Sequence, residues 1–83
     1  MEIAFHPHAL VRMSERGATR EEAAMAVTYG EMFPAKFGRN GFRRNFSFGA
    51  SWKGRMYDTK QLEVYAVKAP GEWLVLTVIV KYF

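Results

Sequence analysis

The chain reads as one α+β domain, in which two N-terminal helices pack on one face of a four-stranded antiparallel sheet in the order ααββββ. Three observations predict this. Two stretches before residue 30 carry helical spacing with their own start and stop signals. The remainder alternates with period two and is punctuated by turn residues. A length of 83 residues leaves room for one core, so 1–83 is a single domain. That length excludes a barrel of eight βα units and a doubly wound dinucleotide-binding fold of normal size. With 49% hydrophobic and 16% aromatic residues, the chain is also too apolar for a disordered tail.

Pro7 suits the first turn of a helix, where no backbone donor is needed. Residues His8 to Arg16 are good helix formers, and Gly17 is a left-handed stop. Leu10, Met13 and Gly17 fall on one side with Ala9 beside them; His8, Arg12, Glu15 and Arg16 fall on another. Thr19-Arg20-Glu21-Glu22 has the form of a capping box and opens a second helix to about Tyr29. Ala23, Ala24 and Val27 form its apolar stripe, and Gly30 ends it.

Beyond Gly30 the period becomes two. Phe33, Ala35 and Phe37 alternate with Met32, Pro34 and Lys36, an edge strand because proline cannot donate to a ladder. Asn40-Gly41 is a strong hairpin signal, and Phe42 to Phe48 is the return strand. Gly49 to Lys60 reads as a looser connection with Trp52, Gly54 and Tyr57, or as a continuation of the strand before it turns. Leu62 to Lys68 and Trp73 to Tyr82 are the third and fourth strands, joined by the tight turn Ala69-Pro70-Gly71-Glu72.

The absence of cysteine excludes disulfide staples, thiolate metal sites and thiol nucleophiles, and fits a cytoplasmic protein. The N-terminus lacks the form of a signal peptide. The longest apolar stretch, Trp73 to Val80, is far too short for a membrane span, so no membrane partner is expected. The net charge of +4 is uneven. Residues 36–60 carry Lys36, Arg39, Arg43, Arg44, Lys53, Arg55 and Lys60 against Asp58 alone, whereas the helices are slightly acidic. Phe37, Phe42, Phe46, Phe48, Trp52 and Tyr57 interleave this block. Cations among aromatics bind phosphates and stack bases, so Lys36, Arg39, Arg43, Arg44, Lys53 and Arg55 are RNA-binding candidates. The same composition also serves to guard a strand edge against aggregation.

Side-chain parity sorts each strand by face. Phe42, Phe46 and Phe48, then Leu62, Val64 and Ala66, then Leu74, Leu76, Val78 and Val80 are expected beneath the helices. The other parity gathers Arg43, Asn45 and Ser47; Gln61, Glu63 and Tyr65; and Thr77 and Lys81, with Val75 and Ile79 between. Such a face suits metal-independent cleavage of RNA by the ribose 2′-hydroxyl. Glu63 or Tyr65 would help remove a proton, Arg43 or Lys81 would stabilise charge on phosphorus, and Tyr65 or Lys81 would protonate the leaving oxygen. The outer face of an antiparallel sheet is also polar for ordinary solvation. On the first helix, His8 and Arg12 share a face, and a histidine titrates near neutrality. Arg12, Glu15 and Arg16 equally form an ion-pair ladder. His6, His8 and Glu2 lack a third firm ligand at motif spacing, so no metal or other cofactor is expected.

His8-Ala9-Leu10-Val11-Arg12-Met13-Ser14-Glu15-Arg16-Gly17, followed by Thr19-Arg20-Glu21-Glu22-Ala23, resembles the helix motif of a family of small bacterial domains of unknown function. That family is similar in layout to the RelE/ParE-like and BrnT-type toxins of toxin–antitoxin modules. Leu74-Val75-Leu76-Thr77-Val78 resembles its last strand, so the likeness spans nearly the whole chain. It departs at Ala18, where a larger aliphatic is usual, at Ala23, and in its longer apolar end. The resemblance implies a RelE-like domain, a toxin-like endoribonuclease that cleaves mRNA, on the ribosome in some relatives, and a neutralising antitoxin as partner. It marks His8, Arg12, Glu15, Arg16, Gly17 and Thr77. With the sheet face, the catalytic candidates are His8, Arg12, Arg43, Glu63, Tyr65, Thr77 and Lys81. The alternative is a non-catalytic RNA- or protein-binding module on the same fold.

Overall fold

The computed structural model describes residues 2–83. The elements run β1 (Glu2–Phe5), α1 (Pro7–Arg16), α2 (Arg20–Tyr29), β2 (Glu31–Pro34), β3 (Asn40–Trp52), β4 (Arg55–Ala69) and β5 (Glu72–Tyr82). The strands form one sheet in the order β1-β5-β4-β3-β2. The fold is α+β, but the expected ααββββ arrangement is corrected in two respects. A strand precedes the helices, so the sheet has five strands rather than four. That strand pairs parallel to β5, from Glu2↔Glu72 to Phe5↔Val75, so the sheet is mixed rather than antiparallel. Four residues carry too little alternation to declare a strand.

Both helices start and stop where their residues dictate. Pro7 opens α1, and Gly17 closes it with its N–H returning to Met13 and Ser14 carbonyls. Thr19 and Glu22 form the reciprocal capping box of α2. Ala9 of α1, with Ala23 and Ala26 of α2, lets both helices sit close on the sheet, and Met13 of α1 fills the core beside them. Beneath them lie Phe42, Leu62, Val64, Ala66, Val75 and Val78. Full burial of Leu62, Val64, Val75 and Val78 contributes about 2 kcal/mol each.

Two turns differ from expectation. Asn40-Gly41 lies inside β3; the turn after β2 is centred on Phe37 and Gly38, at φ 61° and 69°, with the Arg39 N–H donating to Lys36 O. Gly41 is instead required beneath Phe33, because a Cβ there would lie 2.3 Å from the Phe33 ring. Of the two readings of 49–60, the continued strand is the one found: the stretch is the tip of a long hairpin rather than a loose connection. Trp52 pairs with Arg55 around Lys53-Gly54, at φ 49° and 83°, the backbone of a two-residue hairpin turn.

A bulge in β5 corrects the expected parity. Tyr65 pairs with Thr77 but Ala66 pairs with Val75, so Leu76 is an extra residue. Val75 therefore turns inward and is fully buried, while Leu74 shares the face of its partner Val67, away from the helices. The face opposite the helices is left uncovered. It presents Arg43, Asn45 and Ser47 of β3, Gln61, Glu63 and Tyr65 of β4, and Thr77, Ile79 and Lys81 of β5.

Candidate functional site

Glu63 organises the middle of the uncovered face. It is 7% exposed and accepts from Arg43 Nε at 2.8 Å on one oxygen and from the Tyr65 hydroxyl at 3.1 Å on the other. Arg43 also reaches Glu31 at 3.2 Å and lies 4.6 Å from the centre of the Phe33 ring, which meets Tyr65 edge-on. Burial works to raise the Glu63 pKa. The hydrogen bonds from Arg43 and Tyr65, with the charges of Arg43 and Lys81, outweigh it and hold the carboxyl below its ordinary value. Burial, then the hydrogen bond to Glu63 and its charge, push the Tyr65 phenol up. The hydrogen bond to Glu63 raises Arg43 further, against its own desolvation. Glu63 is thus a fixed carboxylate with both oxygens engaged, and Tyr65 keeps its proton at neutral pH.

Two clefts open beside this network. The first, about 420 Å³, lies beneath the β2–β3 turn and is lined by Phe33, Pro34, Lys36, Phe37, Arg39, Tyr65, Thr77 and Ile79 among others. The second, about 400 Å³, is lined by His6, His8, Arg39, Leu76 and Thr77. Arg39 and Thr77 line both, so the clefts adjoin across these two side chains. Local structure explains the convergence. The His6 N–H bonds Val75 O at 2.9 Å, which extends the β1–β5 pairing and sets the start of α1 beside the bulge carrying Leu76 and Thr77. His6 is also the N-cap of α1, its Nδ1 accepting from the His8 N–H at 3.1 Å. A ring that accepts at Nδ1 carries its N–H at Nε2 when neutral.

The sequence-predicted residues separate into groups. His8, Tyr65 and Thr77 line the paired clefts, with Lys36 and Arg39 on the same walls. Arg43 and Glu63 are joined to Tyr65 by hydrogen bonds on the same face. Lys81 stands four residues beyond Thr77, about 13 Å along β5, opposite Gln61. Arg12 is on the outer side of α1, paired with Glu15 at 3.3 Å, and Arg16 donates to Val78 O at 2.6 Å. The basic block does not form one patch. Arg44 lies on the helix side of the sheet between Tyr29 and Phe46, and Lys53 and Arg55 occupy the hairpin tip. His6 stood outside the catalytic candidates, because only the β1–β5 pairing places it beside Thr77.

Among the described residues, no three His, Asp or Glu side chains gather to hold a metal ion, and no helix is long and apolar enough to cross a membrane. In comparisons with family models, with curated proteins and with solved structures, nothing matches this chain.

Proposed function

We propose that the paired clefts are the active site of a metal-independent endoribonuclease. The observation that carries this reading is the convergence of a histidine, an arginine and a hydroxyl-bearing wall on one open face: His8, Arg39 and Thr77 in the second cleft, and Tyr65 across Arg39 and Thr77 in the first. The 2′-hydroxyl of the substrate gives its proton to His8, and its oxygen attacks the adjacent phosphorus. The P–O5′ bond breaks, and the Tyr65 hydroxyl swings from Glu63 to give its one proton to the departing oxygen, leaving a 2′,3′-cyclic phosphate and a 5′-hydroxyl. His8 and Tyr65 then recover their resting states by proton exchange with solvent. Arg39 stabilises the charge that develops on the phosphoryl oxygens. His6, with its Nε2 hydrogen directed away from its own cap, is a second donor for those oxygens. Glu63 holds Tyr65 and Arg43 in place and is not the base.

The helix motif from His8 to Gly17 supports the same reading, with an antitoxin as the expected regulatory partner and the ribosome as the expected setting for cleavage of mRNA. The direct test is incubation of the purified chain with RNA in EDTA, with and without ribosomes, and identification of cyclic-phosphate ends. His8→Ala is expected to lower the rate at least 100-fold, the lower end of general acid–base contributions. A 2′-deoxy residue at the scissile position should block cleavage. Failure of the wild type to cut any RNA under either condition would overturn the proposal.

A further inference from the structure

Phe37 stands almost free of the packed fold. It is 86% exposed, the most exposed of the large hydrophobic residues among those described. It also occupies a left-handed backbone position, φ 61°, where Cβ crowds the following carbonyl and where asparagine or glycine is the ordinary choice. Folding therefore gains neither burial nor turn preference from a phenylalanine here. The other hairpin makes the contrast. Its left-handed non-glycine residue is Lys53, a solvated cation, and its aromatic neighbour Trp52 is stacked on Tyr82 at 5.0 Å.

The surroundings of Phe37 are specific. The ring lines the mouth of the first cleft, with the apolar walls Phe33, Tyr65 and Ile79 below it. Lys36 precedes it in the turn and Arg39 follows, the guanidinium 5.9 Å from the ring centre. The turn from Ala35 to Arg39 contains no acidic residue. A flat apolar ring between two cations fits a nucleobase lying between two phosphates of a single strand, because stacking uses the base face and the cations take the backbone. A duplex offers neither an exposed base face nor the needed splay.

Resting on the ribonuclease reading of the adjoining cleft, we propose that Phe37 is a stacking platform for one unpaired base of the substrate, and that it restricts the site to single-stranded RNA. The turn is the recognition element, and its left-handed residue is held in place to present the ring.

The test uses a fluorescein-labelled single-stranded RNA with 2′-O-methyl riboses, which cannot be cut, and the duplex of the same sequence, in anisotropy titrations with the full chain. Phe37→Asn keeps Lys36 and Arg39 and suits the turn, so it should fold with an unchanged or raised Tm. It is expected to weaken single-strand binding roughly tenfold, within the range for loss of one stacked base, and to leave duplex binding unchanged. Phe37→Trp should restore binding, with quenching of its fluorescence by the base. Equal single-strand affinity for the wild type and Phe37→Asn overturns the platform, as does equal weakening for single strand and duplex, or no RNA binding by the wild type. The two proposals fail separately. Cleavage by the wild type with an unchanged KM for Phe37→Asn would remove the platform and leave the nuclease. Phe37-dependent binding without cleavage of natural RNA would do the reverse.

Discussion

The two faces of the sheet each bury one member of an ion pair, Lys60 on the covered face and Glu63 on the uncovered one, and they use them differently. On the covered face, Lys60 is 5% exposed and reaches both Glu22, at 2.8 Å, and the Gly17 carbonyl. The same Glu22 oxygen receives the Thr19 N–H of the capping box. Nearby, the Tyr82 hydroxyl donates to Arg16 O at 2.8 Å. Every group in that cluster has a partner, and the bonds from Lys60 and Tyr82 fasten the α1–α2 junction to the strands. On the uncovered face, Arg43, Glu63, Glu31 and Tyr65 satisfy one another, yet no helix lies above them. The first arrangement is explained by assembly of the fold. The second fixes Arg43 and Tyr65 around the buried Glu63 on a face that no other element covers, which is how a binding or reacting surface is held rigid.

Removing one partner from each network is the sharpest way to break this contrast. Lys60→Ala leaves Glu22 and the Gly17 carbonyl without their cation and is expected to cost about 3 kcal/mol, measured by urea denaturation. Glu63→Gln on the open face is expected to cost less, about 1 kcal/mol at neutral pH, because Arg43 keeps Glu31 and solvent has access. A loss as large as that of Lys60→Ala would erase the distinction between the faces. The pH dependence is a further mark. The folded-state pKa of Glu63 lies below its unfolded value, so its contribution is present above the ordinary glutamate value and is lost as pH falls through the lowered one. Glu63→Gln should therefore flatten the acid limb of the stability profile. The smallest effect is expected for Arg12→Ala on the outer side of α1, about 0.3 kcal/mol, because both partners of that pair are well exposed.

The sequence made the open face legible because its register is regular there. Arg43↔Glu63 and Tyr65↔Thr77 are direct cross-strand pairs, and parity alone puts all four side chains on one side. Parity fails at Leu76, where an extra residue is inserted without a glycine or proline to announce it. The hairpin around Lys53-Gly54 was hidden for a related reason: its first central residue is a lysine rather than an asparagine. The Asn-Gly signal at residues 40 and 41 misled because Gly41 answers to the Phe33 ring and not to a turn. The paired clefts were beyond sequence reading, since they depend on β1 and on a turn whose left-handed position is filled by phenylalanine.

The pairing of β1 with β5 has a consequence for how the molecule is made. Glu2 meets Glu72 and Phe5 meets Val75, so each of these contacts spans seventy residues of chain. The hairpins β3–β4 and β4–β5 can close locally, whereas β1 has no partner until the last strand is in place. The His6 N–H that sets the candidate catalytic histidines beside Thr77 belongs to that same late contact. Loop-closure entropy for so distant a pairing is met only after the local hairpins have formed, which slows folding. Without β5, β1 has no partner and both clefts lose the Thr77 wall. The clefts are therefore among the last features of the fold to form.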